Sequence, residues 1–123
     1  MKSPSARFPR QAPIDAYGNG GFRFAGMSHR GSILCLPSGI HAWEPAHPLD
    51  VPSMAPVLAE KDRLGLLILG TGCRQELPGP ELRRAFAQAG VSLEAMDTGA
   101  ACRTYNVLAA EDRRVAAALI AVP

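Results

Sequence analysis

The sequence predicts an α/β fold: a single layered domain with a mixed central β-sheet, flanking helices and an extra antiparallel β layer from the N-terminal third. The first observation is length, because 123 residues suit one domain. The second is that apolar strand segments alternate with helical segments in the latter half, as β-α-β-α-β, which is typical of parallel sheets with helices on their faces. The third is that the first third contains short alternating segments separated by glycine-rich turns, as antiparallel strands do.

Composition and charge exclude two classes of partner. Hydrophobic residues make up 47% of the chain and charged residues 20%, which is ordinary for a globular protein. The net charge of +2 is too small to indicate a nucleic-acid partner, and the pairs Arg83-Arg84 and Arg113-Arg114 fit solvated helix faces. No apolar run reaches the length of a membrane span. We therefore expect neither nucleic-acid binding nor a membrane span.

The cysteines and histidines do not form a ligand pattern. Cys35, Cys73 and Cys102 contain no C-x-x-C pair, which favours a reducing compartment with thiols used as small apolar residues. None of the three histidines is spaced with a cysteine or another histidine as metal ligands are. We expect no metal and no cofactor.

The N-terminal residues 1–13 are basic, contain three prolines and have no acidic residue. This segment is too short and too rich in proline for a signal or transit peptide. We interpret it as a flexible leader on a cytoplasmic protein, with the single α/β domain over residues 14–123.

Four short strands are expected in the first third. The glycine-rich turn at 19–21 tolerates the positive φ of a tight hairpin, and a second turn is expected around residues 28–31. The expected strands cover residues 14–18, 22–26, 32–36 and 40–43. Trp43, with His41 and the following proline-rich loop, has two interpretations: a core side chain, or an exposed apolar patch for a protein partner.

From residue 53 onwards, helices and strands alternate. Ser53 is the expected N-cap of a short helix that ends near Glu60. The next helix starts at residues 78–80 and stops at Gly90, a typical C-terminal glycine. The strands of this half cover residues 64–69, 91–96 and 115–122, and the last helix covers about 99–110.

The turn Gly70-Thr71-Gly72 follows a buried strand, as a phosphate-binding turn does. The dinucleotide fingerprint requires a third glycine at position 75, which is Gln75, and no GK[ST] follows. The favoured interpretation is that the glycines let the chain leave the sheet edge sharply and leave room for a neighbouring element.

The stretch Asp97-Thr98-Gly99-Ala100 matches the D-T-G-A signature of aspartic proteases. Only 24 residues follow Gly99, and they read as a helix and one strand, whereas such proteases need a long β segment there. We therefore reject protease chemistry. The pattern instead predicts that Thr98 caps a helix and that Asp97 lies near its positive end.

Three polar residues follow on the same helix. Cys102 lies in the first turn of the helix, where the helix dipole lowers the pKa of a thiol, although a buried, inert thiol is the expected state. Arg103 either binds a carboxylate or phosphate, with Thr71 and Thr98 as further hydrogen-bonding groups, or pairs with an acidic neighbour, Asp97 or Glu111. Asn106 is unfavourable inside a helix, so its amide is expected to fix a neighbouring loop or to contact a ligand.

Two segments of the sequence, LLILGTG and EAMDTGAACRTYNVLAAEDRRVAAALI, carry a resemblance to a known family. They resemble the family of the mitochondrial respiratory complex I assembly factor 3 and the adipogenesis-associated protein, long catalogued as a domain of unknown function. The resemblance covers roughly residues 13–121. Because the chain lacks a persuasive transit peptide, unlike the mitochondrial members, it looks like a bacterial member and we expect it to be one. The resemblance implies a mixed sheet with packed helices and an additional β layer.

The resemblance also implies a pocket near the ends of the central strands. Its lining residues are Gly70, Thr71, Gly72, Asp97, Thr98, Arg103, Thr104, Tyr105 and Asn106. Two functions follow. The first is a non-enzymatic assembly or interaction protein with protein partners, linked to respiratory complex I biogenesis. The alternative is a small-molecule-binding protein, or an unrecognised enzyme, that uses this pocket. The first is favoured, because the residues offer no complete acid–base or nucleophile set.

Overall fold

A computed structural model describes residues 7–123, which form eight strands and three α-helices. The strands β1 to β8 are Ile14–Gly18, Gly21–Phe24, Met27–Arg30, Ser32–Leu36, Gly39–Trp43, Leu66–Gly70, Ser92–Met96 and Val115–Leu119. The helices α1, α2 and α3 are Ala55–Leu58, Pro80–Ala89 and Thr98–Ala110, and short 3-10 turns lie at Pro52–Met54 and Lys61–Arg63.

The central sheet has five strands in the order β5-β4-β8-β6-β7. Strands β7, β6 and β8 are parallel to one another, whereas β4 pairs antiparallel with both β8 and β5. A separate antiparallel sheet of three strands, in the order β1-β2-β3, forms a second β layer. The predicted fold class, a mixed central sheet with helices and an extra antiparallel layer, is confirmed.

Alternation along the central strands divides the core between the two faces of the five-stranded sheet. On one face, Ile33, Cys35 and Ile68 pack against α3 and the β1–β3 layer. On the other face, Leu67 and Leu69 pack against α1 and α2. Helices α2 and α3 therefore cross over opposite faces, and the carboxyl ends of β6, β7 and β8 meet at one edge of the sheet.

The predicted turn at residues 28–31 is wrong, because Met27–Arg30 forms strand β3. The chain reverses earlier, at Ala25 and Gly26, whose φ values of 50° and 74° are those of a two-residue hairpin turn. Strand β2 consequently ends at Phe24. The positive φ of Gly31 (96°) then redirects the chain from β3 into β4.

The predicted helix after Ser53 is shorter than expected, and Ser53 is not its N-cap, because α1 begins at Ala55 after Met54 and has no side-chain cap. The Asp50 carboxylate accepts hydrogen bonds from the Ser53 N–H (2.9 Å) and hydroxyl (2.6 Å), and these bonds lower the pKa of Asp50. Trp43 is only 6% exposed and its indole N–H donates to the Ser53 carbonyl at 2.9 Å. The core interpretation of Trp43 is thus confirmed, and the exposed apolar patch is wrong.

The proposed leader, residues 1–13, lies partly outside the described residues. Within its described part, the Arg7 N–H donates to the Ile40 carbonyl at 2.7 Å, and Phe8 pairs with Ile40 beside strand β5. Across residues 7–123, no helix is both long and apolar enough to cross a membrane.

Candidate functional site

The junction formed by Gly70–Gly72 and Asp97–Asn106 lies where β6 and β7 end and α3 begins. The Thr71 N–H donates to the Met96 carbonyl at 2.8 Å, and the Thr98 N–H donates to the Gly72 carbonyl at 2.9 Å. The parallel pairing of β6 with β7 places the two turns side by side, because parallel strands end at the same edge. The first turn of α3 therefore lies directly against Gly72.

Thr98 has a different role from the one predicted. It is the first residue of α3 and fully buried, and its hydroxyl donates to the Ile120 carbonyl at 2.7 Å while it accepts from the Gly72 N–H at 2.9 Å. Asp97 is the N-cap instead, since its Oδ1 accepts from the Ala100 N–H at 2.9 Å. Thr98 thus connects the ends of β6 and β8 to the helix.

Gly70 and Gly72, the two glycines of the first turn, are required by space and by backbone conformation. A Cβ at Gly70 would lie 3.0 Å from the Leu119 side chain and 3.1 Å from both Ala101 and Thr98, so α3 packs tightly over this residue. Gly72 has a φ of +105°, which glycine adopts without the steric cost that a Cβ brings. Both observations agree with the favoured interpretation of this turn, in which the chain leaves the sheet edge sharply and a neighbouring element, here α3, packs close to it.

Asn106 fixes the β1–β3 layer to α3. Its Oδ1 accepts from the Ile14 N–H at 2.8 Å, and its Nδ2 donates to the Ile14 carbonyl at 2.9 Å. One amide therefore pairs with both main-chain groups of a β1 residue, as a neighbouring strand does. Of the two roles expected for Asn106, the contact with a neighbouring segment is the one present.

Tyr105, Cys35 and Cys102 form a buried group beneath the junction. Burial raises the pKa of Cys102 to about 12, although the Arg103 cation opposes this shift, and burial also raises the pKa values of Cys35 and Tyr105. The Tyr105 hydroxyl has no well-oriented hydrogen-bond partner within residues 7–123, and its polar neighbour is the Cys35 thiol. The burial of Cys102 and its raised pKa favour the protonated thiol at neutral pH, which agrees with the expected buried, unreactive state.

Arg103 lies on the exposed face of α3, and Thr104 is half-buried beside it. In the described part of the chain, neither Asp97 nor Glu111 forms an ion pair with Arg103; Glu111 pairs with Arg113 at 3.8 Å. Thr71 is half-buried, and its hydroxyl donates to the Arg74 carbonyl at 2.7 Å and to Met96 at 3.1 Å. The structure thus brings together the two turns, with Thr98 between them, whereas the exposed Arg103 forms no hydrogen bond or ion pair with either turn among residues 7–123.

Among the surface cavities formed by residues 7–123, three that lie outside the junction are well formed. One of about 640 Å³ lies where β6 and β7 begin, and one of about 430 Å³ lies beside the end of α2. A third, of about 400 Å³, lies on the β1–β3 layer and includes Arg23, His29 and Arg30, which sequence reasoning did not select. The available signal was the alternation of Arg23 with Phe22 and Phe24, which places the arginine on the face of its strand opposite to the two rings. A ligand pocket at the junction stays a prediction.

Within residues 7–123, no three side chains among His, Cys, Asp and Glu lie close enough together to bind a metal ion. Cys35, Cys73 and Cys102 are free thiols, of which Cys73 alone is exposed.

This arrangement defines a class of small α/β proteins with one mixed five-stranded sheet and one three-stranded β layer. A Bordetella pertussis protein described as a Mth938-like domain shares it, with a TM-score of 0.75 and 30% identity over 98% of this chain and 92% of that one. The chain belongs to the family described as a protein of unknown function, DUF498/DUF598, whose profile matches residues 14–120.

Two further relatives cover nearly the whole chain. A Bartonella henselae protein described as an outer membrane protein has 52% identity and a TM-score of 0.92, over 95% of this chain and 100% of that one. The mouse (Mus musculus) NADH dehydrogenase (ubiquinone) 1 alpha subcomplex assembly factor 3 is 32% identical over 96% of this chain. This chain spans 65% of the mouse protein's length. The resemblance to the assembly factor 3 family, predicted from the motifs, is confirmed.

Proposed function

We propose that this protein is a non-enzymatic assembly factor that binds other proteins during the biogenesis of respiratory complex I, the NADH dehydrogenase. The observation that supports this most is the 32% identity to an assembly factor of that enzyme over 96% of the chain. The fold and both junction segments lie within the matched region. A protein of this kind acts by contact surfaces, so its partners are subunits or other assembly proteins.

The chemistry of the junction supports a role without catalysis. Two polar groups that could take part in a reaction are instead hydrogen-bonded to the main chain: the Thr98 hydroxyl to Gly72 and Ile120, and the Asn106 amide to Ile14. The Cys102 thiol is protonated at neutral pH because burial raises its pKa to about 12. An acid–base or nucleophilic mechanism needs groups that are free to react.

We place this activity in the cytoplasm. The absence of a disulfide among Cys35, Cys73 and Cys102 supports a reducing compartment, because an oxidising one favours paired thiols. Fractionation of the source cells into cytoplasm, periplasm and membrane would test the location, and recovery in washed outer membranes would contradict it.

A deletion strain tests the assembly role. We expect less fully assembled complex I on native gels and slower NADH oxidation by membranes, both restored by the wild-type gene, while succinate oxidation stays unchanged as the control. Affinity purification from the native cell should recover complex I subunits or their assembly proteins. Normal complex I levels in the deletion strain, together with no recovered respiratory protein, would contradict the proposal.

The second candidate function is small-molecule binding, or an unrecognised enzymatic activity, at the junction. It is supported by the space at Gly72, where a Cβ would have no neighbour within 4 Å, and by the half-exposed Asp97 beside it. Thermal-shift measurements with a panel of carboxylates, phosphates and nucleotides would test it. A ligand that stabilises the wild type but not a Gly72→Ala variant would support this function, and no shift with any compound would count against it.

A further inference from the structure

The outer face of the β1–β3 layer, which we call the cationic face, consists of Ala16, Gly18, Gly21, Arg23, Ser28 and Arg30. These residues form two rows across the three strands, in the order Ala16-Arg23-Ser28 and Gly18-Gly21-Arg30. The alternate row, Tyr17-Phe22-His29, has the opposite side-chain direction, and Phe22 belongs to the core. The cavity of about 400 Å³ lies on this layer.

The floor of the cationic face is built from residues with little or no side chain. At Gly21 a Cβ would overlap the His29 carbonyl oxygen on the neighbouring strand, so no larger residue fits without movement. Ala16, Gly18 and Ser28 extend the low floor to either side. The two arginines therefore rise above a shallow surface, which leaves room for an extended chain between and beside their side chains.

The arginines of this region have no acidic partner. Within residues 7–123, no carboxylate lies in ion-pair contact with Arg23 or Arg30, and both side chains are exposed. Residues 7–43 contain four arginines and one acid, Asp15, which gives a formal charge of +3, whereas residues 44–123 have a formal charge of −2. Burial lowers the pKa of His29 in this layer, and the positive charge of Arg7 lowers it further. The segment that includes the β1–β3 layer therefore carries a net positive charge, whereas the rest of the chain is net negative.

We infer that the cationic face is the docking surface for an acidic segment of a partner protein, an assignment that rests on the proposed protein-binding role. Arg23 and Arg30 are diagonal neighbours on adjacent strands, so two guanidinium groups lie within reach of carboxylates on one extended segment. Arginine is enriched at protein interfaces, and complementary charge steers the encounter of the partners.

The shape of the face favours a protein segment over a free small anion. Small-molecule sites enclose most of their ligand's surface, whereas the arginine, serine and alanine side chains here are exposed and the floor is low. A nucleic acid is less suited, because single strands are bound by stacking on exposed aromatic rings. Phe22 in the centre of this sheet is buried, and Tyr17, which is 44% exposed, belongs to the row that faces away from the cationic face.

A binding measurement with the full chain tests the inference. The probe is a fluorescein-labelled polyglutamate peptide of about ten residues, titrated at low salt and followed by anisotropy. We expect the double variant Arg23→Glu/Arg30→Glu to bind about tenfold more weakly, because two exposed ion pairs are replaced by like-charge contacts. The double variant Arg83→Glu/Arg84→Glu makes the same change of net charge on exposed positions of α2 and should bind nearly as the wild type does.

Three outcomes would overturn the assignment: no binding of polyglutamate to the wild type, an equal loss in both double variants, or tighter binding of single-stranded DNA of the same charge. An Arg23→Lys/Arg30→Lys variant should retain part of the affinity, because lysine keeps the charge but lacks the planar fork. Thermal melting of every variant shows that the fold is intact.

The same variants separate this inference from the proposed function. In the deletion strain, Arg23→Glu/Arg30→Glu should fail to restore complex I, whereas Arg83→Glu/Arg84→Glu should restore it. Full restoration by both would overturn the cationic face and leave the assembly role standing. Normal complex I in the deletion strain itself would instead remove the assembly role, while peptide binding would still test the face.

Discussion

At the junction of β6, β7 and α3, buried and half-buried polar side chains bind to the main chain, whereas on the cationic face two exposed arginines have no acidic partner within residues 7–123. Thr98 and Asn106 hold separate segments together: Thr98 the turn at Gly72 and the end of β8, Asn106 helix α3 and strand β1. Arg23 and Arg30 hold no segment in this way. The comparison shows that the distinctive sequence motif at Asp97–Asn106 belongs to the interior of the fold. The cationic face, by contrast, is not marked by any sequence motif.

The difference follows from the energetics of burial. A buried donor or acceptor left unpaired lowers the free energy of unfolding, and at the junction the hydroxyl of Thr98 and the amide of Asn106 avoid this cost by bonding to the main chain. An exposed arginine is solvated and loses little when it has no partner. Substitutions should therefore change stability at the junction and change binding at the cationic face.

The largest expected effect on stability is that of Thr98→Val. The substitution keeps the shape but removes the hydroxyl, which leaves the Gly72 N–H and the Ile120 carbonyl unpaired in a buried site. We expect the free energy of unfolding in urea to fall by about 3 kcal/mol. Thr104→Val, at a half-buried position of the same helix, is the matched control and should cost less than about 1 kcal/mol. Equal costs for the two variants would show that the Thr98 hydroxyl does not hold the junction together.

The second effect is that of Asn106→Leu. Loss of the amide leaves both main-chain groups of Ile14 without their partner, at a half-buried position where water can replace part of the interaction. We expect a loss of about 2 kcal/mol in the free energy of unfolding. Hydrogen exchange should become faster at the Ile14 amide and across β1, but not in β6. Unchanged exchange at Ile14 would contradict the anchoring role of Asn106.

Much of the fold could be predicted from the sequence, but the hydrogen-bonding roles of the individual junction residues could not. The strand at Leu66–Gly70 was found because an apolar run reports burial on both faces of a sheet. The helix cap was assigned to Thr98 rather than Asp97, because both residue types cap helices and they are adjacent. The choice depends on the Ile120 carbonyl, which only the folded β8 brings next to Thr98.

The cationic face was missed for a related reason. Arg23 and Arg30 are separated in the sequence and become diagonal neighbours only through the hairpin at Ala25 and Gly26. Sequence reasoning placed a turn at residues 28–31, which removed the strand that carries Arg30. Without β3 there was no sheet face on which the two arginines could be related.

Alkaline pH provides the third test, which addresses the buried thiols. The pKa of Cys102 rises from 9.0 to about 12 on folding, chiefly through burial. Because the folded value is the higher one, this contribution to stability is complete below about pH 9 and is lost as the pH rises towards 12. The free energy of unfolding of the wild type should therefore fall above pH 9, and the slope should be shallower in Cys102→Ala, by up to about 1.4 kcal/mol per pH unit. Equal slopes from pH 9 to 11 would show that Cys102 stays accessible to hydroxide in the folded state.

The smallest effect is expected for Arg103→Ala, and it bears on the distinction between the two regions. Arg103 is exposed and has no ion pair among the described residues, so its removal should change the free energy of unfolding by less than about 0.5 kcal/mol at neutral pH. Polyglutamate binding should also be unchanged, because α3 is not part of the cationic face. Stabilisation of the wild type by phosphate or citrate, if it disappears in Arg103→Ala, would instead indicate that the junction binds an anion through Arg103. In that case the junction would be a binding site as well as the element that joins the strands. Small-molecule binding would then be favoured over the assembly role as the function of this protein.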